Sequence, residues 1–403
     1  MGNHFWTRRA VCFLFIMPLI AGINAVVVNV KTKGAKADGK TDDGQVILNA
    51  WKEACSGGSP PSSVLIPPGT YLAFPILMGG PCKGPIEIKA TGATLKAPPE
   101  LKIFKTVNTW ITFLNIDRLT INGGTFDGQG HDSWRNKECP RCQRPVNIGF
   151  SSVRNSLIKN ITSVSSKYFH LAIGDSRNIR IENITIHAPE NSRNTDGIHI
   201  GRINDVNITN SIIKTGDDCI SFGDGSKNIR VENVTCGPGH GISVGSLGKY
   251  PNERPVQGIW IKNCTLTGTQ NGVRIKSWPD STSTTVSDIH FEDIVMDRVG
   301  NPIIIDQEYC PGHTCKKGGP SSRVKISNVS FRRIRGTSTT KVALKLACSA
   351  GLPCENIELA DINLTYQGPG GGPATSKCDN VKPNVVGQVV PAACSGGSVH
   401  PRI

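Results

Sequence analysis

The sequence predicts an all-β protein with a single-domain parallel β-helix fold. The main observation is a short phrase of alternating apolar residues that ends in Asn or Asp, as in Ile179-Arg-Ile-Glu-Asn183, and that returns about every 23 to 38 residues. Clear copies start at residues 119, 157, 179, 206, 229 and 259, and weaker ones at residues 289, 324 and 357. Abundant glycine and few aromatic residues also favour an all-β fold. A leucine-rich repeat would be richer in leucine and propeller blades would be longer, so stacked coils of several short strands fit best.

The first 25 residues are typical of a secretory signal peptide. Arg8 and Arg9 precede an apolar run from Ala10 to Ile20, and small residues follow up to Ala25. The apolar run falls short of the ~20 residues that a membrane-spanning helix needs, so a membrane anchor is the weaker interpretation. We therefore predict a signal peptide over residues 1–25, a β-helix domain over residues 26–403, and a secreted monomer without a membrane segment.

The two open ends of a β-helix expose strand edges and need covers. Residues 44–57, which include Trp51, contain the one plausible amphipathic helix, and we expect this short helix to cap the N-terminal end. At the other end, a stretch rich in Gly, Pro and Ser precedes Cys378 and Cys394. We expect a disulfide-tied tail over about residues 368–403 to cover the last coil.

The Asn that ends each phrase is suited to a tight turn. Asn tolerates a left-handed backbone and bonds to nearby backbone groups, and stacked copies can form a ladder. Many of these residues also begin Asn-x-Ser/Thr triplets, which occur at Asn160, Asn183, Asn207, Asn233, Asn263, Asn328 and Asn363. Because most triplets coincide with the repeat, we expect several to be structural and inaccessible, and only some to carry glycan.

Fourteen cysteines indicate disulfides formed in an oxidising compartment. Removal of the signal peptide takes away Cys12 and leaves an odd number, so at least one thiol stays unpaired or pairs outside the chain. Sequence does not fix the connectivity, but closeness suggests four pairs, namely Cys55 with Cys82, Cys219 with Cys236, Cys348 with Cys354, and Cys378 with Cys394. Cys139 and Cys142 could form a redox or zinc pair, yet no second pair at metal spacing follows, so a disulfide or loop staple is favoured.

The chain is strongly basic, with a formal net charge of +14. Such a charge attracts polyanions. The basic residues form no single tail, and a secreted protein seldom meets nucleic acid, so we expect an acidic polysaccharide as partner and no nucleic acid. Simple solubility is the alternative explanation of the charge.

Three ionisable residues, Asp196, Asp218 and His240, stand 22 residues apart. Each precedes an apolar β-branched residue by two positions, which predicts that they lie on adjacent coils, and Asp217 adds a further carboxylate. Repulsion among neighbouring carboxylates should raise the pKa of at least one of them. Asp-rich turns also stabilise solenoids or hold calcium, but three carboxylates that converge with a histidine favour a catalytic site.

A pair of cations follows on a later coil. Strand alternation directs Ile275 into the core and both Arg274 and Lys276 outward, so the two bases should point together into a surface groove. Such a pair suits the carboxylate of an acidic sugar, although two ordinary surface bases would show the same pattern. Glycoside hydrolysis needs one protonated carboxyl to donate to the leaving oxygen and an ionised one to activate water or attack.

Four motifs, in order, resemble those of the polygalacturonases, the pectin-hydrolysing glycosidases of family twenty-eight: Asn194-Thr-Asp-Gly197, Gly216-Asp-Asp-Cys219, Gly239-His-Gly241 and Arg274-Ile-Lys276. The likeness spans nearly the whole chain after the signal peptide. It implies a right-handed parallel β-helix, hydrolysis of α-1,4-linked galacturonate with inversion, no metal or other cofactor, polygalacturonate as the partner and the cell wall as the location.

The resemblance also implies roles for the motif residues. Asp217 would be the general acid, and Asp196 with Asp218 would activate water. His240 would assist the protonation state of the acid.

Four further residues would bind or support the substrate. The resemblance implies that Arg274 and Lys276 hold a substrate carboxylate and that Asn194 supports the first motif. Tyr309, in Asp306-Gln-Glu-Tyr309, resembles the family's substrate-contacting tyrosine.

Among plant members, the chain most resembles the pollen-type exo-acting group. The likeness lies in Gly248-Lys-Tyr-Pro-Asn-Glu-Arg-Pro255 and Gln307-Glu-Tyr-Cys310. We therefore expect removal of galacturonate from the non-reducing end, with endo-cleavage as the second hypothesis. A pectate lyase, which uses calcium, and a non-catalytic pectin-binding wall protein are more distant alternatives.

Overall fold

The computed structural model describes residues 1–2, 26–57, 61–134, 144–313, 315 and 320–394. Within these residues the chain winds as a right-handed parallel β-helix, as the sequence predicts. The proposed signal peptide, Cys12, and the pair Cys139 and Cys142 lie outside the described residues. No helix in the described part of the chain is long and apolar enough to cross a membrane.

One side of the coil is a parallel sheet of eleven described strands, which we call the groove sheet. In chain order its strands are Ile76–Gly79, Thr109–Leu114, Val146–Ser151, Leu171–Gly174, Ile198–Gly201, Ile220–Phe222, Ile242–Leu247, Asn271–Ser277, Asn301–Asp306, Val342–Ala347 and Thr375–Asp379. Each strand pairs with the next one in this order, so one turn of the coil contributes one strand.

The remaining sides form a parallel sheet of twenty described strands, which we call the bent sheet. Its strands are Val27–Asn29, Asp38–Asp42, Ser62–Leu65, Gly69–Leu72, Ile86–Lys89, Ala93–Lys96, Leu119–Asn122, Thr125–Asp127, Arg154–Lys159, Thr162–Val164, Arg177–Glu182, Thr185–His187, Asn204–Lys214, Lys227–Cys236, Val256–Lys262, Thr265–Thr267, Thr284–Val299, Val324–Ser338, Glu355–Tyr366 and Asn384–Val390. A single strand can turn the corner, because Asn204–Lys214 pairs with both Arg177–Glu182 and Thr185–His187.

The corner of the bent sheet depends on the Asn residues of the repeat. Five of them have φ between 52° and 56°, namely Asn160, Asn183, Asn210, Asn233 and Asn263. Some stacked side chains bond across coils, since the Asn233 amide donates to Asn210 Oδ1 at 2.6 Å and the Asn160 amide to Asn122 Oδ1 at 3.0 Å. The predicted left-handed turns and ladder are confirmed. All seven Asn residues of the glycosylation triplets are nevertheless exposed, so the expectation that several are inaccessible is wrong.

The N-terminal end is covered by a helix, Gly44–Ser56, as predicted. Its buried face includes Ile47 and Trp51, and the Trp51 indole N–H donates to the Gly79 carbonyl at 3.0 Å. Three short helical turns complete the described helices, at Leu101–Phe104, His131–Trp134 and Pro311–His313.

The C-terminal segment continues the coil. Thr375–Asp379 extends the groove sheet and Asn384–Val390 the bent sheet, so part of the segment expected as a covering tail is itself a last coil. Val385 and Val386 on the final strand are 47% and 46% exposed.

All four disulfides suggested by closeness are present, and the Cys378–Cys394 bond ties the last coil. The structure adds a fifth that the sequence reasoning did not name, Cys310–Cys315. Cys264 is a free, buried cysteine within the described residues.

Candidate active site

The outward-facing side chains of the groove sheet form a row across four coils. His199 aligns with Ser221, Ser221 with Ser243, and Ser243 with Arg274. Alternate positions such as Ile220 are fully buried in the core. The predicted parity is therefore confirmed, and the three carboxylates lie in the turns directly before the first two of these strands.

Asp217 is the member of the three that reaches the surface, with a side chain 17% exposed. Its Oδ1 lies 2.9 Å from His240 Nδ1 and accepts the backbone N–H of Asp218 at 2.8 Å. Its Oδ2 accepts the Asn194 amide at 3.4 Å. Polar groups on three successive coils thus fix the orientation of this carboxyl.

Asp218 is buried beneath two cations. Its Oδ1 accepts Arg274 Nη2 at 2.8 Å and the Ser243 hydroxyl at 2.8 Å, and its Oδ2 accepts Lys276 Nζ at 2.7 Å. Burial by itself would raise the pKa of Asp218, but the two cations and the hydrogen bonds outweigh it and lower the pKa to about 2. Asp218 is therefore ionised at neutral and at mildly acidic pH.

Arg274 and Lys276 are more buried than the sequence predicted, and of the two only Arg274 lines a cleft described below. They are only 7% and 6% exposed, because both side chains turn down onto Asp218. An unpaired buried carboxylate would be costly, and the two cations remove that cost.

Asp196 has the opposite environment. It is 6% exposed, and its Oδ2 accepts the Ser221 hydroxyl at 2.8 Å. Burial, followed by repulsion from Asp217 and Asp218, raises its pKa well above the ordinary value. A raised pKa for at least one of the three carboxyls was expected from the sequence, although burial rather than repulsion is the larger cause.

Glycines allow the coils to approach each other at this point. Gly241 has φ of +88°, and a Cβ there would lie 2.2 Å from the Asn271 carbonyl oxygen. Gly239 has φ of +138°, and its Cβ would lie 2.5 Å from the Asp217 carbonyl oxygen. The flanking glycines therefore let His240 reach Asp217, since a side chain at either position would push the coils apart.

Three adjoining clefts meet at His240. The first, of about 340 Å³, is lined by Asn194 and Asp217, and the second, of about 650 Å³, by Gln270 and Asn301. The third, of about 520 Å³, is lined by Arg274, Asn301, Tyr309 and Lys345, among others. Together they make a polar groove along the outer face of the groove sheet.

Tyr309 lies at the far wall of the third cleft. Its ring centre is 5.1 Å from Lys276 Nζ and 5.8 Å from Arg274 Cζ, and its ring packs edge-on against Trp278. The aromatic ring thus covers the two cations that hold Asp218.

Comparison with known proteins gives the family. Residues 55–394 match the family model described as glycosyl hydrolases family 28. The chain belongs to family 28. It is accordingly a glycoside hydrolase, and the row of carboxylates described above lies inside the matched region.

Individual family 28 proteins are similar over most of their length. A polygalacturonase of Gossypium barbadense is 52% identical over 368 residues, which cover 90% of this chain and 89% of the relative. An exopolygalacturonase of Oenothera organensis is 52% identical over 363 residues, which cover 89% and 99%. Among solved structures, the endo-xylogalacturonan hydrolase of Aspergillus tubingensis has a TM-score of 0.76 at 23% identity and covers 93% of this chain and 100% of that one. This last likeness concerns the fold.

Sequence reasoning missed several polar and aromatic groups beside the candidate site. Arg144 Nη2 donates to Asn194 Oδ1 at 2.9 Å, and its guanidinium lies 5.6 Å from the ring centre of Tyr168. His199 Nδ1 lies 2.8 Å from the Ser221 hydroxyl, which bonds Asp196. Arg144 and Tyr168 belong to turns, where no periodic pattern marks them. The contact of His199 with Ser221, in contrast, could have been predicted, because the repeat places both residues at the same outward position of successive strands.

The site also contains a set of groups that could in principle hold a metal ion. Ligand atoms of Asp217, Asp218 and His240 all lie within 4.8 Å of one another. The surroundings do not favour a cation, because Arg274 and Lys276 already bond both oxygens of Asp218. Asp217 and His240 also bond each other, so each of the three groups already has a hydrogen-bond partner on an atom that could bind an ion.

Proposed function

We propose that this protein is a secreted polygalacturonase of the plant cell wall that hydrolyses α-1,4-galacturonosyl links of demethylated pectin by inversion, releasing galacturonate from the non-reducing end. The observation that carries the proposal is the contrast among three neighbouring carboxyls: Asp218 is held ionised, Asp196 is pushed toward its protonated form, and Asp217 faces the cleft. The names of the 52% identical relatives support the substrate.

Asp217 is the proposed general acid. It is the carboxyl at the cleft surface, and His240 bonds its Oδ1 while Asn194 bonds its Oδ2. A fixed carboxyl at the groove floor can hand its proton to the oxygen of the leaving sugar as the glycosidic bond breaks.

Asp196 and Asp218 are the proposed partners of the attacking water. Asp218 supplies a permanent negative charge, and Asp196 supplies the more basic carboxylate because its pKa is raised. The water oxygen bonds to the sugar carbon, and its proton passes to this pair. A base with a raised pKa accepts a proton more readily, provided that the pH is high enough for it to start ionised.

Arg274, Lys276 and Tyr309 are the proposed binding residues for a substrate carboxylate. Arg274 Nε donates to the Ser243 hydroxyl, and Arg274 Nη2 donates to Asp218 Oδ1. A guanidinium carries five N–H donors in all. A uronate in the third cleft would therefore meet further guanidinium donors beside the Tyr309 ring. The anionic polymer also suits the basic chain.

Product analysis on purified protein tests the proposal. Polygalacturonate should yield saturated galacturonate monomer from the first time points, with viscosity falling slowly. Rapid viscosity loss with mixed oligomers would overturn exo action in favour of endo-cleavage. Unsaturated products that absorb in the ultraviolet would overturn hydrolysis itself and indicate a lyase.

A further inference from the structure

The groove is built differently on the two sides of the carboxylates. On the C-terminal side the two larger clefts run along the coils that carry Gln270, Asn301 and Lys345. On the N-terminal side, a separate cleft of about 400 Å³ is lined by Thr109, Ala172 and His199, among others. Arg144 and Tyr168, which do not line that cleft, come from the two coils that precede the coil of Asp196. This order follows from the backbone, since Asn147 N bonds Phe169 O at 3.0 Å and His170 N bonds Asp196 O at 2.8 Å.

Arg144 reaches across two coils to the site. Its Nη1 donates to the Arg193 carbonyl at 3.1 Å and its Nη2 to Asn194 Oδ1 at 2.9 Å. On the way the guanidinium lies 5.6 Å from the ring centre of Tyr168. The side chain is therefore held at its tip, next to the residue that bonds Asp217.

Tyr168, whose ring lies against the Arg144 guanidinium, is itself held in place by aromatic neighbours. Its ring stacks on Phe169 with centres 4.0 Å apart, and Phe169 packs on His199 at 4.8 Å. Burial raises the pKa of Tyr168, the charges of Asp196 and Asp217 add to the rise, and the nearby Arg144 cation opposes it.

Arg144 still has binding capacity. A guanidinium has five N–H donors in a planar fork that matches a carboxylate, and the two bonds above use neutral acceptors. Among the described residues, no carboxylate forms an ion pair with Arg144. An arginine without such an ion pair, beside the cleft of an enzyme for an anionic polymer, is suited to bind a carboxylate of the substrate.

We propose that Arg144 and Tyr168 close the groove on its N-terminal side and that Arg144 binds the carboxylate of the terminal galacturonate. The inference rests on the proposed exo-polygalacturonase function and identifies the residues that make it exo-acting. The chain end stops against the stack of Tyr168 on Phe169, while the rest of the polymer lies in the open clefts beyond His240.

Product patterns test the closure. Arg144→Ala and Tyr168→Ala are compared with wild type and with Arg180→Ala, which removes an exposed arginine of the bent sheet. On hexagalacturonate, wild type and Arg180→Ala should release monomer, whereas the two site variants should also release dimer and longer fragments early. Active, folded site variants that still release monomer alone would overturn the closure.

Substrate discrimination tests the carboxylate contact. The ratio of kcat/KM is measured for a trigalacturonate and for the analogue whose terminal residue is neutral galactose. Wild type should prefer the ionised terminus by about tenfold or more, Arg144→Ala should lose the preference, and Arg144→Lys should keep part of it. A general loss of turnover through Asn194 would lower both rates and leave the ratio intact, so an unchanged ratio in Arg144→Ala overturns the contact.

The two levels of the hypothesis fail in different ways. Wild type that releases mixed oligomers from the start would overturn exo action, whatever the variants do. Wild type that releases monomer, with variants unchanged in pattern and ratio, would overturn the role of Arg144 and Tyr168 alone.

Discussion

At the scale of single residues, the surroundings of each carboxyl decide its protonation. Asp218 touches two cations, whereas Asp196 touches a hydroxyl and faces two other acids. Identical side chains on adjacent coils thus have pKa values shifted in opposite directions, which is the condition for acid and base work in one groove.

Asp196→Asn should stabilise the folded protein near pH 7. Folding raises the pKa of Asp196, so the ionised form costs folding free energy at every pH above its ordinary value. An Asn keeps the acceptor for Ser221 and removes that cost, and we expect the Tm to rise by a few degrees.

The gain in stability of Asp196→Asn should vanish near pH 3, where Asp196 of the wild type is protonated in both the folded and the unfolded protein. Asp175→Asn, on an exposed position of the same sheet region, is the matched control and should leave the Tm unchanged. A variant that is equally or less stable than wild type at pH 7 would contradict the raised pKa.

Much of the site could be predicted from the sequence, because its residues sit at repeat positions. The spacing of Asp196, Asp218 and His240 was enough to bring them together. The burial of Arg274 and Lys276 could not be predicted, because it depends on the direction in which the turn at Asp218 points its carboxylate. A strand pattern indicates only which side chains face outward.

At the scale of elements, stacking rather than any single strand builds the groove. Strands of a parallel sheet lie about 4.8 Å apart, so residues in register on successive coils are automatically neighbours. Alternating apolar residues predicted the strands well. The turns carry no period, and for that reason Arg144, Tyr168 and the Cys310–Cys315 disulfide escaped prediction.

Gly241→Ala should destabilise the stack far more than Gly268→Ala. Both glycines have positive φ, which costs a side chain about 1–2 kcal/mol in either place. At Gly241 the new Cβ would also lie 2.2 Å from one carbonyl oxygen and 2.3 Å from the next, whereas at Gly268 nothing lies within 4 Å.

Thermal unfolding of the two variants checks this expectation. Gly241→Ala should show the much lower Tm and lose activity together with its structure. Equal shifts for both glycines would mean that the coils at His240 can separate without cost.

At the scale of the whole molecule, charge and shape suit a long anionic chain. The net charge is +14, and the clefts extend from Asp217 to Lys345 across successive coils. A polymer can therefore be attracted over a distance and then lie along the axis of the coil.

Added salt should weaken this attraction. Between about 0.02 and 0.3 M salt, KM for polygalacturonate should rise, because screening shortens the range of the field. The value of kcat should change little, since the Asp218 cluster is buried and only weakly screened. Trigalacturonate, with few charges, is the control and should respond less. Equal salt dependence for both substrates would contradict long-range attraction.

The turnover of Asp217→Asn on polygalacturonate tests the central claim most directly, with Asp175→Asn as control. We predict a loss of about 10²- to 10⁴-fold in kcat, with substrate binding and Tm retained, because the proton donor is removed and the groove is not. Near-normal turnover in a folded Asp217→Asn protein would contradict the assignment of this groove as the hydrolytic site.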